Sequence, residues 1–321
     1  MEVVTRFAPS PTGRLHLGHG LSAVRAFDLA RAAGGRFLLR IEDIDGTRSR
    51  PEHVDAILAD LAWLGLSWEG PVFQSERLAL YAAALDQWKA RGLVYPCFCT
   101  RAEIAAASAS APHGPEPVYP GTCRGLPDPD LSRPHCWRVD VSAALAFLPG
   151  TGRGTAAAGR GGGGSPLGDA PAVSPLHRPT ASDGPPPRAG EDLWWHDSTG
   201  GWVRADPARH GDVILARKDA PASYHLAVTV DDAAQGVTDV VRGVDLFAAT
   251  DVHRLLQALL GLPTPRYHHH PLLTGPDGAR LAKRHGAPTL EAMRKAGEDG
   301  RAVADMLRAA RLPTGYARTD S

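Results

Sequence analysis

The chain has 321 residues, with 35 lysines and arginines balanced by 35 aspartates and glutamates, and only four cysteines. That length supports a large core and more than one domain, while the charge balance excludes a global cationic field and leaves any nucleic-acid contact to local patches. No run of eighteen apolar residues occurs and the start lacks the pattern of a secretion signal, so a cytoplasmic protein without a membrane span is expected.

"EVVTRFAPS" opens as a short strand broken by Pro9, and "HGLSAVRAFDLARAAGG" follows with helical spacing that stops at Gly34-Gly35. "RFLLRIED" is apolar enough for a strand buried on both faces, and "PEHVDAILADLAWLGL" is an amphipathic helix starting on proline. Strand, helix, strand, helix implies an α/β fold with a parallel sheet and right-handed crossovers. "SERLALYAAALDQWKARGLVY" predicts another helix, capped by Ser75.

Residues 97–123 interrupt the alternation. Residues 150–190 hold eleven glycines and seven prolines, a composition expected to give a mobile insertion without chemistry. Beyond it, "GDVILARKD", "SYHLAVTVDD" and "VTDVVRGVD" predict three strands, "ATDVHRLLQALLGL" a helix and "RYHHHPLLT" a further strand. The loop "GPDGARLAKRHGAP" and two short helices complete the chain.

A strand running into a glycine-containing turn and then a helix presents unpaired N–H groups and a partial positive charge, the usual geometry for holding phosphate. His16 and His19 at that helix start add donors that can follow developing phosphoryl charge. Three of the four cysteines, Cys97, Cys99 and Cys123, are close enough in sequence to suit tetrahedral zinc. Their spacing leaves the fourth ligand open, with His113 the first choice on chemistry alone; Cys136 reads as a buried strand cysteine.

"APSPTGRLHLGH" and "RLAKRHGA" together resemble the two signature sequences of class I aminoacyl-tRNA synthetases. "RFAPSPTGRLHLGHG", "GGRFLLRIEDIDGTRSRPE" and "LAKRHGA" resemble the glutamyl branch, over most of residues 2–292. The resemblance implies a Rossmann-type catalytic domain over 1–95 and 192–275, with a zinc-containing module inserted at 96–149. The glycine-proline insertion then covers 150–191, and a nucleotide loop with a short helical stem occupies 276–321. It places ATP, arriving with Mg²⁺, on His16, Gly18, His19, Arg280 and Lys283. Arg280 and Ala282 depart from the lysine and serine usual in that loop; arginine keeps the charge but not the compact ammonium.

L-glutamate carries one cation and two anions, so its pocket needs an acid and several donors. The resemblance assigns it to Arg6, Ala8, Ser10, Glu42, Tyr224 and Arg242, with Glu42 on the α-ammonium and Arg242, Arg6 and Tyr224 on the side-chain carboxylate. A guanidinium fork grips a carboxylate bidentately, which favours glutamate over glutamine. Compact glutamyl-type relatives carry tyrosine in a one-per-subunit zinc site, which falls here on Tyr119, with Cys97, Cys99 and Cys123.

Only 33 residues follow Pro288, too few for the usual anticodon-gripping helical domain. That points within the family to its truncated, queuosine-directed branch, which activates glutamate without tRNA and attaches it to queuosine at the wobble position of tRNA(Asp). The alternatives are an enzyme charging a tRNA 3′ end with a partner's help and a non-catalytic tRNA-binding module. No self-complementary apolar stripe stands out, so a monomer is expected.

Overall fold

The computed structural model describes residues 2–108, 118–148, 192–275, 281, 289–309, 311 and 317–318. The glycine-proline insertion, His113, Arg280 and Lys283 lie outside the described residues.

The chain opens with β1 (Val4–Phe7), buried at all four positions, and continues into α1 (Leu17–Ala32). Gly34, at φ 63°, adopts the left-handed conformation that ends the helix where the glycine pair predicts. β2 (Arg36–Ile41) then pairs in parallel with β1, Val4 opposite Arg36 and Phe7 opposite Leu39. α2 (Pro51–Trp63) leads to β3 (Glu69–Phe73), parallel on the far side of β2.

α3 (Leu78–Ala90) is not capped by Ser75, which belongs to a preceding 3₁₀ turn over Gln74–Arg77. Ser75 instead donates its N–H and hydroxyl to Asp43, at 2.9 and 2.6 Å. A carboxylate is the stronger acceptor, and this pair ties the end of β3 to the end of β2.

β4 (Val94–Cys97), α4 (Arg101–Ser108), β5 (Cys136–Val139) and α5 (Val141–Phe147) come next, followed by the hairpin β6 (Trp194–Asp197) and β7 (Gly201–Arg204). β8 (Ile214–Ala216) pairs antiparallel with β5, giving a separate three-stranded sheet ordered β4-β5-β8. The segment 212–216, expected within the catalytic sheet, thus anchors the inserted module. Buried Asp212 reinforces the anchor by accepting from Tyr95, from Arg124 and from the Val141 N–H.

α6 (Tyr224–Ala234) corrects the sequence reading: "SYHLAVTVDD" is a helix, not a strand. Its valines, threonine and tyrosine favour strands, but helix contacts against α3 and α7 override that weak propensity. Ser223 caps it by accepting from the Leu226 N–H at 3.4 Å. β9 (Asp239–Gly243), α7 (Ala249–Leu260) and β10 (Arg266–His270) follow, β10 lying parallel to both β9 and β6. Pro271 cannot donate to the ladder, and a short β11 (Leu273–Thr274) resumes beyond it. α8 (Leu290–Lys295) and α9 (Gly300–Arg308) precede β12 (Ala317–Arg318), which pairs with β11.

β9 runs beside β1, joined by the Thr238 N–H to the Val4 carbonyl at 2.9 Å. The strand order therefore reads β3-β2-β1 and then β9-β10-β6-β7, with the chain reversing direction of travel between β1 and β9. One apolar core joins Phe37, Leu39 and Ile41 of β2 to α1, α2, α8 and α9; a second is built from α3, α5, α6 and α7. On β2 the alternate positions Leu38 and Arg40 face the other way, Arg40 toward α6. No helix among the described residues is long and apolar enough to cross a membrane.

Candidate active site

At the carboxyl ends of β1, β2, β9 and β10 a cleft of about 410 Å³ opens, lined among others by Ala8, Glu42, Gly243 and His270. This is where an open parallel sheet binds ligands, beside the point where strand order reverses. Arg6, Ala8, Ser10, Glu42, Tyr224 and Arg242 all line it, and so do His16, Gly18 and His19. Residues spread over 237 positions of sequence are thereby brought to one cavity. Tyr224 arrives from the first turn of α6 rather than from a strand.

The two histidines cap α1. His16 Nδ1 accepts from the Gly18 N–H at 3.1 Å, His19 Nδ1 accepts from the His16 N–H at 3.2 Å, and the ring centroids lie 3.8 Å apart with the planes tilted by 31°. With Nδ1 of each accepting, the proton of each neutral ring sits on Nε2. Leu281 lines the same cleft, and Thr289 bridges to His16. These two described residues bracket Lys283 in the sequence.

Below the cleft lies a charged network that sequence reading missed. Arg6 donates Nε and Nη2 to Asp232 at 3.0 and 3.3 Å, and Arg40 donates to the same carboxylate at 2.9 Å. Asp231 accepts from Gln74, Arg77 and Tyr81 at 2.8, 2.6 and 2.8 Å. Burial opposes the Asp232 carboxylate, but Arg6 and Arg40 outweigh it and hold its pKa below the ordinary value. Glu42 pairs with Arg40 only at 3.6 Å. Burial therefore pushes Glu42 up to about 7, against the pull of Arg40 and Arg6.

Arg242 differs. Its guanidinium donates to His269 Nε2 at 3.2 Å, Tyr224 Oη at 3.4 Å, His253 Nδ1 at 3.2 Å and Thr250 Oγ1 at 2.6 Å. It is 5% exposed, and among the described residues no carboxylate forms an ion pair with it. Burial, with Arg242 adding to it, lowers His269 to about 4 and His253 well below its ordinary value, so both rings are neutral.

The inserted module gathers Cys97, Cys99 and Cys123 with sulfurs within 4.8 Å of one another and no disulfide. Tyr119 Oη lies 3.3 Å from Cys97 Sγ and 3.6 Å from Cys99 Sγ, while Cys99 and Cys123 are 3.5 Å apart. A tetrahedral zinc with Zn–S and Zn–O bonds near their usual lengths sets ligand atoms roughly 3.5–3.8 Å apart. The four side chains thus fit one metal ion. Hydrogen bonds from Cys136, then Tyr119 and Arg138, outweigh burial and lower Cys97 to about 4, while burial raises Cys99. Arg138 lies 3.9 Å over the Tyr119 ring. Cys136, across the ladder from Cys97, is buried in β5 as expected.

The family described as tRNA synthetases class I (E and Q), catalytic domain, matches residues 2–128 and 187–314. The chain is 45% identical to the Glutamyl-Q tRNA(Asp) synthetase of Rhodobacter capsulatus, covering 92% of this chain and 96% of that protein. It is 42% identical to the like-named protein of Deinococcus radiodurans, covering 95% and 88%. It is 39% identical to a glutamate–tRNA ligase of Oleidesulfovibrio alaskensis, of which it spans only 52%. A glutamate tRNA ligase structure from Elizabethkingia meningosepticum superimposes with a TM-score of 0.70 at 24% identity; the chain spans 60% of it. The chain therefore belongs to the glutamyl- and glutaminyl-type class I tRNA synthetases, and it spans 96% and 88% of the two Glutamyl-Q tRNA(Asp) synthetases named above.

Proposed function

We propose that this enzyme activates L-glutamate with ATP to glutamyl-adenylate without tRNA, then transfers the glutamyl group to queuosine at the wobble position of tRNA(Asp). The observation that carries the first half is the pairing, in one cleft, of a carboxylate with a weak counter-ion and a guanidinium that has none among the described residues. Glu42 takes the α-ammonium, and Arg242 with Tyr224 takes the side-chain carboxylate. Arg6 has two of its donors committed to Asp232, so its share rests on the Nη1 hydrogens and the remaining Nη2–H.

Held this way, the α-carboxylate faces the α1 end, where Gly18 and the Nε2–H groups of His16 and His19 line the cleft. One carboxylate oxygen attacks the α-phosphorus as the bond to the bridging oxygen breaks, and pyrophosphate leaves with the electron pair. The nucleophile is already an anion, so no protein base is needed; positioning and charge stabilisation do the work. Lys283 is proposed to meet the triphosphate, supported by the placement of Leu281 and Thr289 on either side of it in sequence. A hydroxyl of the acceptor then attacks the acyl carbon and AMP departs.

Zinc is proposed at Cys97, Cys99, Tyr119 and Cys123, where it supplies a structural crosslink to a module too small for a large core of its own. The queuosine acceptor rests on the near full-length match to relatives bearing that name. Glutamate-dependent ATP–pyrophosphate exchange in the absence of tRNA tests activation; no exchange refutes it. Nuclease mapping of tRNA(Asp) carrying labelled glutamate tests the acceptor: label on the anticodon fragment supports queuosine, and label on the 3′ fragment replaces it with ordinary charging.

A further inference from the structure

Arginine can only donate hydrogen bonds, and this settles the tautomers around Arg242. His269 Nε2 accepts from the Arg242 Nε–H, so the His269 proton lies on Nδ1, 2.7 Å from the Asp197 carboxylate that receives it. His253 Nδ1 accepts from Nη1, so its proton lies on Nε2, 3.1 Å from His225 Nδ1. Thr250 and Tyr224 oxygens receive two more guanidinium hydrogens. Four of the five N–H donors are thereby directed, none of them to an anion among the described residues. One Nη2–H remains to be given, together with the Tyr224 O–H.

We infer that His253 and His269 are positioning residues that hold the Arg242 guanidinium by accepting from it while adding no negative charge, which leaves its charge for the anionic end of the substrate. The contrast with Arg6 and Arg40, which share the Asp232 carboxylate a few residues away, marks the arrangement as selective. Asp197 touches only the far side of His269, where it fixes the ring and does not reach Arg242. A glutamine side chain at this position leaves a buried cation unpaired, so the neutral acceptors sharpen the preference for a carboxylate over a carboxamide. The inference rests on the reading that Arg242 binds the substrate side chain.

Exchange kinetics with glutamate and glutamine test it. In His253→Leu and His269→Leu the KM for glutamate should rise about tenfold or more, with kcat and the KM for ATP little changed, since each loses one charge-assisted hydrogen bond. His253→Asn and His269→Gln put an amide oxygen where the accepting nitrogen was, and should return KM to within about threefold of wild type. Should the leucine variants not fold, His253→Asp is the deciding one: a carboxylate on Arg242 should narrow the glutamate-over-glutamine preference by about tenfold or more. Unchanged KM in the leucine variants, equal loss in the leucine and amide variants, or an unchanged preference in His253→Asp overturns the inference. Wild-type glutamate KM in Arg242→Ala overturns the reading of the pocket beneath it.

Discussion

Glu42 carries the sharpest pH prediction. Burial pushes its pKa from 4.5 to about 7, because Arg40 approaches only to 3.6 Å and Arg6 is engaged with Asp232. A substrate ammonium needs the ionised carboxylate, so binding below pH 7 first requires removal of a proton from the free enzyme. The KM for glutamate should be flat above about pH 7 and climb about tenfold for each unit below it, while the KM for ATP stays level. Glu42→Gln should raise KM roughly 10- to 150-fold at pH 8, the equivalent of about 1.5–3 kcal/mol for a charge-assisted hydrogen bond, and should abolish the acid limb. Stability moves the opposite way. A raised carboxylate pKa means the native state binds more protons than the unfolded chain between 4.5 and about 7, so stability falls as pH rises through that window. Glu42→Gln should therefore melt higher than wild type at pH 8, by at most about 3 kcal/mol of stability. Exchange kinetics from pH 5.5 to 8.5 and thermal melts at both ends supply the test. A level glutamate KM across that range, or a Glu42→Gln enzyme with wild-type KM, refutes the assignment of Glu42 to the ammonium.

Other expectations follow from the same geometry. Metal analysis should find one zinc per chain, and Cys123→Ser or chelation should lower Tm and release it; purified protein without zinc sinks the proposed ligand set. Asp232→Asn leaves Arg6 and Arg40 without their shared counter-ion and should cost about 3–5 kcal/mol, read as a fall in the denaturant midpoint; a wild-type midpoint contradicts the pairing. A methyl at Gly300 would land on the Trp63 carbonyl, so Gly300→Ala should destabilise by about 1–3 kcal/mol by pushing the start of α9 off the end of α2; an unchanged melt refutes this close packing.

How much of this was legible in the chain depended on where the chemistry sat. Of the residues that line the cleft, His16, Gly18 and His19 are legible from the strand–turn–helix start, whereas Arg6, Ala8, Ser10, Glu42, Tyr224 and Arg242 are pointed to by the family resemblance. Tyr224 was assigned to the right cavity and the wrong element. "SYHLAVTV" has strand propensity, and only the serine before it signalled a helix cap. That error also concealed Asp231 and Asp232, since adjacent residues on a strand point to opposite faces, whereas on α6 both reach the Arg40 side. His253 and His269 left almost no trace. Each sits on an element whose apolar pattern predicts burial, and pattern alone cannot say which buried polar group meets which. Three consecutive histidines in a buried strand were the one available hint. Ser75 was misassigned because a cap and a side-chain tether present the same residue type.

The spacing of charge also bears on which amino acid fits. Glu42 follows the end of β2, Arg242 lies near the end of β9, and β1 separates them, so their backbones stand about two strand spacings, or about 10 Å, apart and both side chains reach the same cleft. An extended glutamate spans four bonds from its α-nitrogen to its δ-carbon, about 5 Å, so its two ends can address side chains that enter the cleft from different strands. Aspartate is one methylene shorter and can satisfy one pole only by leaving the other. The resulting choice is between a buried guanidinium without an anion and a carboxylate without its ammonium, either of which is costly for a buried charge. α6 supplies Asp231 and Asp232 beneath β1 and β2, and α7 supplies Thr250 and His253 beneath β9. Arg6 and Arg40 therefore face a carboxylate that α6 brings, while Arg242 faces neutral acceptors that α7 and β10 bring, so the neighbouring elements set the charge each guanidinium meets.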